Sequence, residues 1–106
     1  MLEQFKRTEI LIGRTGMECL QQAHVAVFGI GGVGGYVTEA LARSGIGTLD
    51  LIDHDKVNLS NINRQIIALH STVGKYKVDA AKERILDINP KAAVNTYKMF
   101  YMPDTK

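Results

Sequence analysis

Cysteine is almost absent from this sequence. Cys19 stands alone, which excludes an intrachain disulfide and any C-x-x-C metal or redox site. Apolar runs long enough to cross a bilayer, ~18 residues, are missing, and so is the basic-then-apolar start of a secretory signal. Neither sign of charge dominates: 13 Lys and Arg face 11 Asp and Glu, for a formal net charge of +2, and the cations are dispersed among acids. That balance permits a nucleic-acid partner without pointing to one. Together these absences predict a soluble, cytoplasmic chain with no membrane partner. What remains is an ordinary globular composition, 45% hydrophobic and 23% charged over 106 residues, enough for one domain with a single core.

The pattern of apolar residues predicts a βαβ series. Residues 8–22 read as a helix broken near Gly13 to Gly16, with Met17, Leu20 and Cys19 on its apolar side and Cys19 as a buried or half-buried structural thiol. "VAVF" (25–28) is a continuous apolar run, the pattern of a strand buried on both faces. Val33, Val37, Ala40, Leu41 and Ser44 then fall at helical spacing, with Gly45 as the stop. "TLDLID" (48–53) predicts a second strand, and residues 54–73 a long polar loop with short helical turns. A helix follows over Lys75–Asn89, with Val78, Ala81, Ile85 and Ile88 as its apolar stripe and Pro90 ending it. "AVNTYKMFY" (93–101) predicts a third strand, with Tyr97, Phe100 and Tyr101 as sheet packing. The sum is an α/β, Rossmann-like three-layer fold with a parallel sheet, present as an incomplete N-terminal half. Three parallel strands leave an exposed edge and an uncovered flank.

Five glycines fall within seven residues after the first strand, and Gly29, Gly31 and Gly34 spell G-x-G-x-x-G. Between a strand and a helix, such a turn lets backbone N–H groups approach an anion at the helix N-terminus. Asp53 lies 19 residues past Gly34, at the end of the second strand, where a carboxylate accepts hydrogen bonds from ribose hydroxyls. The motif alone fits a nicotinamide or flavin dinucleotide, ATP, or a packing turn that binds nothing.

The loop separates these readings. "NLSNINRQ" (58–65) concentrates Asn58, Ser60, Asn61, Asn63, Arg64 and Gln65 directly after the acidic strand end. "VGKYK" (73–77) then puts Lys75 and Lys77 at the start of a helix, where a cation opposes the helix dipole unless an anion sits nearby. Arg64 and Lys77 are placed to clamp the β- and γ-phosphates of ATP, whereas a dehydrogenase has no use for them there. Asp55 has two readings, a magnesium ligand or a cap for its loop. His54 and His70 lack partners at ligand spacing and read as surface residues.

"FGIGGVGG", "ALARSGIGTLDLIDHDKVNLSNINRQ", "VGKYK" and "INP" together resemble the E1-like (ThiF/MoeB/HesA) adenylating superfamily, from about Arg7 to Pro90. Within it, "RTEILIG" (7–13) and "NINRQIIAL" (61–69) are most similar to the tRNA threonylcarbamoyladenosine dehydratases. The resemblance implies that residues 1–106 are the N-terminal part of a ThiF-type nucleotide-binding domain, opened by a helical segment over about 1–22. It implies ATP and Mg2+ as cofactors, with Gly32 near the phosphates, Asp53 on the ribose and Ser60–Arg64 lining the nucleotide. Asn61 and Arg64 would lie near the phosphates and Lys77 on the phosphate tail. Arg7 matches an arginine that relatives reach across a dimer interface toward ATP, and equally fits an ordinary surface position.

The implied reaction is adenylation of a carboxylate. The acid belongs to threonylcarbamoyladenosine in tRNA, cyclised after activation, or alternatively to the C-terminus of a ubiquitin-like sulfur-carrier protein in molybdopterin or thiamine synthesis. The resemblance also implies a homodimer and a second essential aspartate, after a fourth strand beyond Lys106. On that expectation the chain as given is a fragment that cannot complete catalysis alone.

Overall fold

The structure, a computed structural model, describes residues 2–100. The chain opens with a short 3-10 turn, then α1 (Lys6–Gln22), β1 (His24–Phe28), α2 (Val33–Ser44), β2 (Thr48–Ile52), a 3-10 helix over Leu59–Asn63, α3 (Lys77–Ile88) and β3 (Ala93–Tyr97). The three strands form a parallel sheet in the order β1-β2-β3, with Val27 opposite Leu51 and Leu49 opposite Val94. Each parallel pair needs a crossover, and α2 and α3 supply the two. They pack side by side on one face of the sheet, over a core of Val27, Leu49, Leu51, Val78, Ile85 and Val94. No helix among the described residues is long and apolar enough to cross a membrane.

The other face is open, which corrects the expectation that β1 is buried on both sides. His24, Ala26 and Phe28 alternate outward, and Phe28 is 58% exposed, because no helix among the described residues lies over them. At the centre of that face Asp50 accepts hydrogen bonds from Asn95 Nδ2 (2.8 Å) and pairs with His24 Nε2 (2.7 Å). The Asn95 bond, assisted by His24, holds the Asp50 carboxyl below its ordinary value against the opposing effect of burial.

α2 turns a different side inward than its apolar spacing suggests. Gly35, Thr38 and Ala42 are buried, whereas Val33 (79% exposed) and Val37 (42%) face out. The cause is close approach: a Cβ on Gly34 would lie 1.7 Å from the Gly29 carbonyl oxygen, so only the small side of this helix fits against the turn. α2 and α3 are tied by Glu39, which accepts from Arg84 Nε and Nη2 and from Arg43 Nε (3.3 Å). The Arg84 hydrogen bonds hold the Glu39 carboxyl below the usual range.

α1 is kinked at Gly13 (φ 80°), as the sequence predicts. Met17 is buried and Leu20 packs against the core, but Cys19 is exposed. Two residues from Met17 it lies roughly 200° round the helix, which places it on the solvent side. β3 ends at Tyr97, short of the predicted 101, so Phe100 lies outside the strand and meets the His54 ring at a tilt of 52° instead of packing in the sheet (ring centroids 4.4 Å). Tyr101 falls outside the described residues.

Candidate functional site

The site begins where β1 ends. Gly29 (φ 87°) donates its N–H to the Ile52 carbonyl (2.8 Å), and Ile30, fully buried, donates to Asp53 Oδ2 (2.8 Å). Gly32 (φ 53°) is the N-cap of α2, with no side chain closing the helix and no acid in its first turn. The N-terminal amides of a 12-residue helix therefore emerge at the turn without a capping carboxylate, the positive end of its dipole. The helix and turn predicted for Gly29, Gly31, Gly32 and Gly34 are in place.

The facing wall is set by a short antiparallel ladder. Val57 N donates to Lys75 O (2.8 Å), Gly74 N to Val57 O (2.9 Å) and Lys77 N to Asp55 O (2.9 Å), with a bridge between Lys56 and Tyr76. This ladder pins the start of α3 to the chain leaving β2. Lys77, the first residue of α3, turns inward and is only 7% exposed. Among the described residues its ammonium has one carboxylate in range, Asp55 Oδ2 at 4.0 Å. Beside it lies Gln65, whose Oε1 is buried without a hydrogen-bond partner among the described residues. A Cβ on Gly31 would come within 2.8 Å of Gln65 Nε2 and 3.0 Å of Lys77 Nζ, so both groups press on the glycine turn.

Burying a cation with so distant a partner, next to an orphaned carbonyl oxygen, costs stability unless something else completes the arrangement. Lys77 Nζ offers a donor to an anion, and the open amides of α2 offer more. Gln65 Oε1 offers an acceptor. The chemistry fits a phosphate group flanked by hydroxyl or amino functions.

The remaining predicted residues divide. Asp53 and Asp55 are brought to the turn, but Asp53 is already engaged: Oδ2 holds Ile30 N and Oδ1 accepts from Asp55 N (2.9 Å), each oxygen keeping a further lone pair. Asn61 is buried and its Oδ1 accepts from Asn58 N (2.8 Å), closing a capping box with Asn58 and Ser60. Ser60 Oγ bonds Asn58 Oδ1 (3.3 Å). Arg64 is exposed and folds back on its own loop, its Nη1 donating to Asn63 Oδ1 (2.9 Å) and Ser60 O (3.3 Å). Arg7 is exposed in the first turn of α1 and, among the described residues, has no partner in the turn or the facing wall.

Two features escaped the sequence reading. His54, expected to lack ligand-spaced partners, lies 3.1 Å from Asp55 Oδ1 and 3.9 Å from Asp53 Oδ1, because the chain curls back as it leaves β2. The three form the one metal-capable group among the described residues. The carboxylate oxygens of the two aspartates suit magnesium; Asp53 already accepts from two backbone amides, whereas Asp55, among the described residues, accepts from none and pairs only with His54 and Lys77. The second is a hollow of about 310 Å³ between Phe28, Ile52, Asp53, Met99 and Phe100. Its apolar walls sit beside the carboxylate expected to meet a ribose. No sequence signal announced it, because the continuous apolar run of β1 does not reveal that Phe28 points outward.

Comparison with known proteins gives a consistent picture. The model of the ThiF family matches residues 5–106. The chain is 54% identical over 105 residues to the tRNA threonylcarbamoyladenosine dehydratase of Bacillus subtilis, covering 99% of this chain and 41% of that protein. Its fold superposes on the crystal structure of the Escherichia coli tRNA N6-threonylcarbamoyladenosine dehydratase in complex with ATP, with a TM-score of 0.94 and 45% identity, over 96% of this chain and 42% of that one. More distant is the molybdopterin-synthase adenylyltransferase of E. coli, 40% identical over 79 residues, or 74% of this chain and 32% of that protein. The chain thus spans about two fifths of the length of the dehydratases it matches.

Proposed function

The chain belongs to the ThiF family, and from that premise we propose that it binds ATP between the glycine turn and Lys77, as the nucleotide half of a tRNA threonylcarbamoyladenosine dehydratase. The observation that carries this reading is the buried Lys77 ammonium, 7% exposed and 4.0 Å from its nearest carboxylate, pressed against Gly31. A triphosphate laid on the α2 amides supplies the missing anion. The base enters the hollow beside Phe28 and Phe100, the ribose meets a free lone pair of Asp53, and Arg64 swings from its loop onto the phosphate tail. Ser60, Asn61 and Asn63 shape that loop. The identity to the Bacillus subtilis dehydratase supports tRNA as substrate over a sulfur-carrier protein.

The chemistry asked of the site is activation of a carboxylate. A carboxylate oxygen attacks the α-phosphorus, the bond to the bridging oxygen breaks, and pyrophosphate leaves with the electron pair. The acyl-adenylate so formed carries a good leaving group, and an internal nucleophile then displaces AMP to close the ring. Lys77 and Arg64 neutralise charge gathering on the departing pyrophosphate, the class of contribution that dominates phosphate chemistry. Magnesium would be held by Asp55 together with phosphate oxygens, and supplies further neutralisation of that charge.

The protein works as a homodimer in this account, in the cytoplasm where tRNA is modified. Ile10 (82% exposed) and Leu11 (85%) on α1 offer large apolar surface for a second copy. Arg7 lies three residues before Ile10, on the same helix face, and would be carried into that interface. The decisive test is ATP–pyrophosphate exchange by the intact protein with threonylcarbamoyladenosine-bearing tRNA, and separately with a sulfur-carrier C-terminus. Exchange stimulated by the tRNA supports the proposal; stimulation by the carrier alone replaces it with the adenylyltransferase reading.

A further inference from the structure

On the outer side of the same ladder that buries Lys77 lies a groove of about 460 Å³, lined by Lys56, Lys75, Tyr76, Asp79, Lys82 and Glu83, among others. Lys98 stands at its rim, with Nζ 3.1 Å from Asp79 Oδ2 and 4.6 Å from the centre of the Tyr76 ring. Lys56 Nζ lies 5.1 Å from the centre of that ring. Lys75 pairs with Glu83 at 3.0 Å. Four lysines thus meet two carboxylates, an excess of two positive charges that equals the formal net charge of the whole chain. Of the other basic residues, Lys6 is matched by Glu3, Arg14 by Glu18, and Arg43 and Arg84 by Glu39, while Arg7, Arg64 and Lys91 have no ion pair among the described residues but stand apart from one another in the sequence.

We infer that this groove docks the phosphodiester backbone of the RNA substrate, with Lys56, Lys82 and Lys98 as its phosphate contacts. The inference rests on the tRNA reading above. Three properties of the groove favour a polyanion. Lys56 has only an aromatic ring as described partner and Lys82 has none, so both ammonium groups are available without breaking an ion pair. The weak attractions at Lys75 and Lys98 are exposed pairs, which phosphates outcompete at little cost. Continuity supplies the third: Lys75, Tyr76 and Lys77 are consecutive, the first two on the groove and the third against the glycine turn. A strand of RNA lying on Lys75 and Tyr76 is therefore one residue away from the phosphate site, on the opposite side of the α3 N-terminus. Phosphate contacts of this kind position a nucleic acid without reading its sequence.

The test measures tRNA affinity of the intact protein by filter binding across a salt series, comparing wild type with K56E/K82E/K98E. None of the three residues belongs to the nucleotide site, so ATP binding and the thermal midpoint are the controls. The expected result is a loss of at least about tenfold in tRNA affinity and a fall of about two to three in the salt slope, with ATP binding unchanged. The neutral variant K56Q/K82Q/K98Q, gentler on folding, should show a smaller loss in the same direction. Unchanged tRNA affinity and slope in both variants, while wild type binds tRNA, overturns the groove and leaves the tRNA reading standing. A wild type that binds no tRNA overturns both.

Discussion

The glycine turn and the wall facing it are built on opposite rules. In the turn the groups next to β1 are engaged, Ile30 N on Asp53 and Gly29 N on Ile52, with Gly34 packed so tightly that a single methyl would overlap the Gly29 carbonyl, and only the uncapped amides of α2 stay open. In the wall the polar groups are buried and left over, the Lys77 ammonium with a carboxylate only at 4.0 Å and Gln65 Oε1 with no partner. The side chains and packing of the turn carry the fold, whereas the side chains of the wall hold unused binding capacity. Stability and ligand affinity should therefore separate cleanly by mutation across a gap only a few ångströms wide.

The sharpest break comes from Gly34→Ala. Its Cβ would sit 1.7 Å from a backbone oxygen that cannot move without displacing β1 or α2. Loss of the cooperative thermal transition is expected, and a normal melting curve would show that the turn is softer than its contacts imply. Next in size is Lys77→Ala, which on the proposed site would remove a charge-assisted contact to phosphate of about 2–3 kcal/mol, or roughly 30- to 150-fold in ATP affinity by calorimetry. Its thermal midpoint without ligand should barely fall, since the deleted cation was poorly paired. Arg64→Ala should spare ATP binding more than Lys77→Ala, yet abolish exchange, because in the proposed reaction Arg64 leaves Asn63 to meet the departing pyrophosphate.

Gly31→Ala probes the seam between the two regions. The atoms its methyl would meet are the ends of flexible side chains, Gln65 Nε2 at 2.8 Å and Lys77 Nζ at 3.0 Å. We expect roughly tenfold weaker ATP binding with an intact fold, about 1.4 kcal/mol. A melting loss like that of Gly34→Ala would erase the distinction.

The smallest effect lies outside both regions. Asp50 and Glu39 have folded-state carboxyl values lowered, by the Asn95 and Arg84 hydrogen bonds respectively. A lowered folded value means the contribution is present above the ordinary carboxylate range of about 4 and lost as pH falls through the folded value. The thermal midpoint should hold from neutral pH down to about 5 and drop below about 4. Asp50→Asn should flatten that drop.

Much of this was legible in the sequence because it rests on local pattern. The Val78, Ala81 and Ile85 stripe on α3, the break at Gly13, and the order of strand, glycine turn and helix follow from spacing alone. The inward side of α2 did not, because close approach at Gly34 outranks the larger apolar residues Val33 and Val37, and close approach is a tertiary fact. The open face of β1 was hidden for a similar reason: "VAVF" has the same pattern whether one side or both are covered. In the site, Lys77 was readable as a cation at a helix start. Its burial, and the orphaned oxygen of Gln65, depend on the ladder between residues 55–57 and 74–77, which no short-range pattern announces.

The most direct test of the central claim is thermal unfolding of the protein against rising ATP or NADH. A ligand that occupies the turn and satisfies Lys77 should raise the midpoint with ATP, by an amount corresponding to about 2.7 kcal/mol at a hundredfold excess over its Kd. NADH should leave it unchanged. A midpoint raised by NADH and indifferent to ATP would contradict the account.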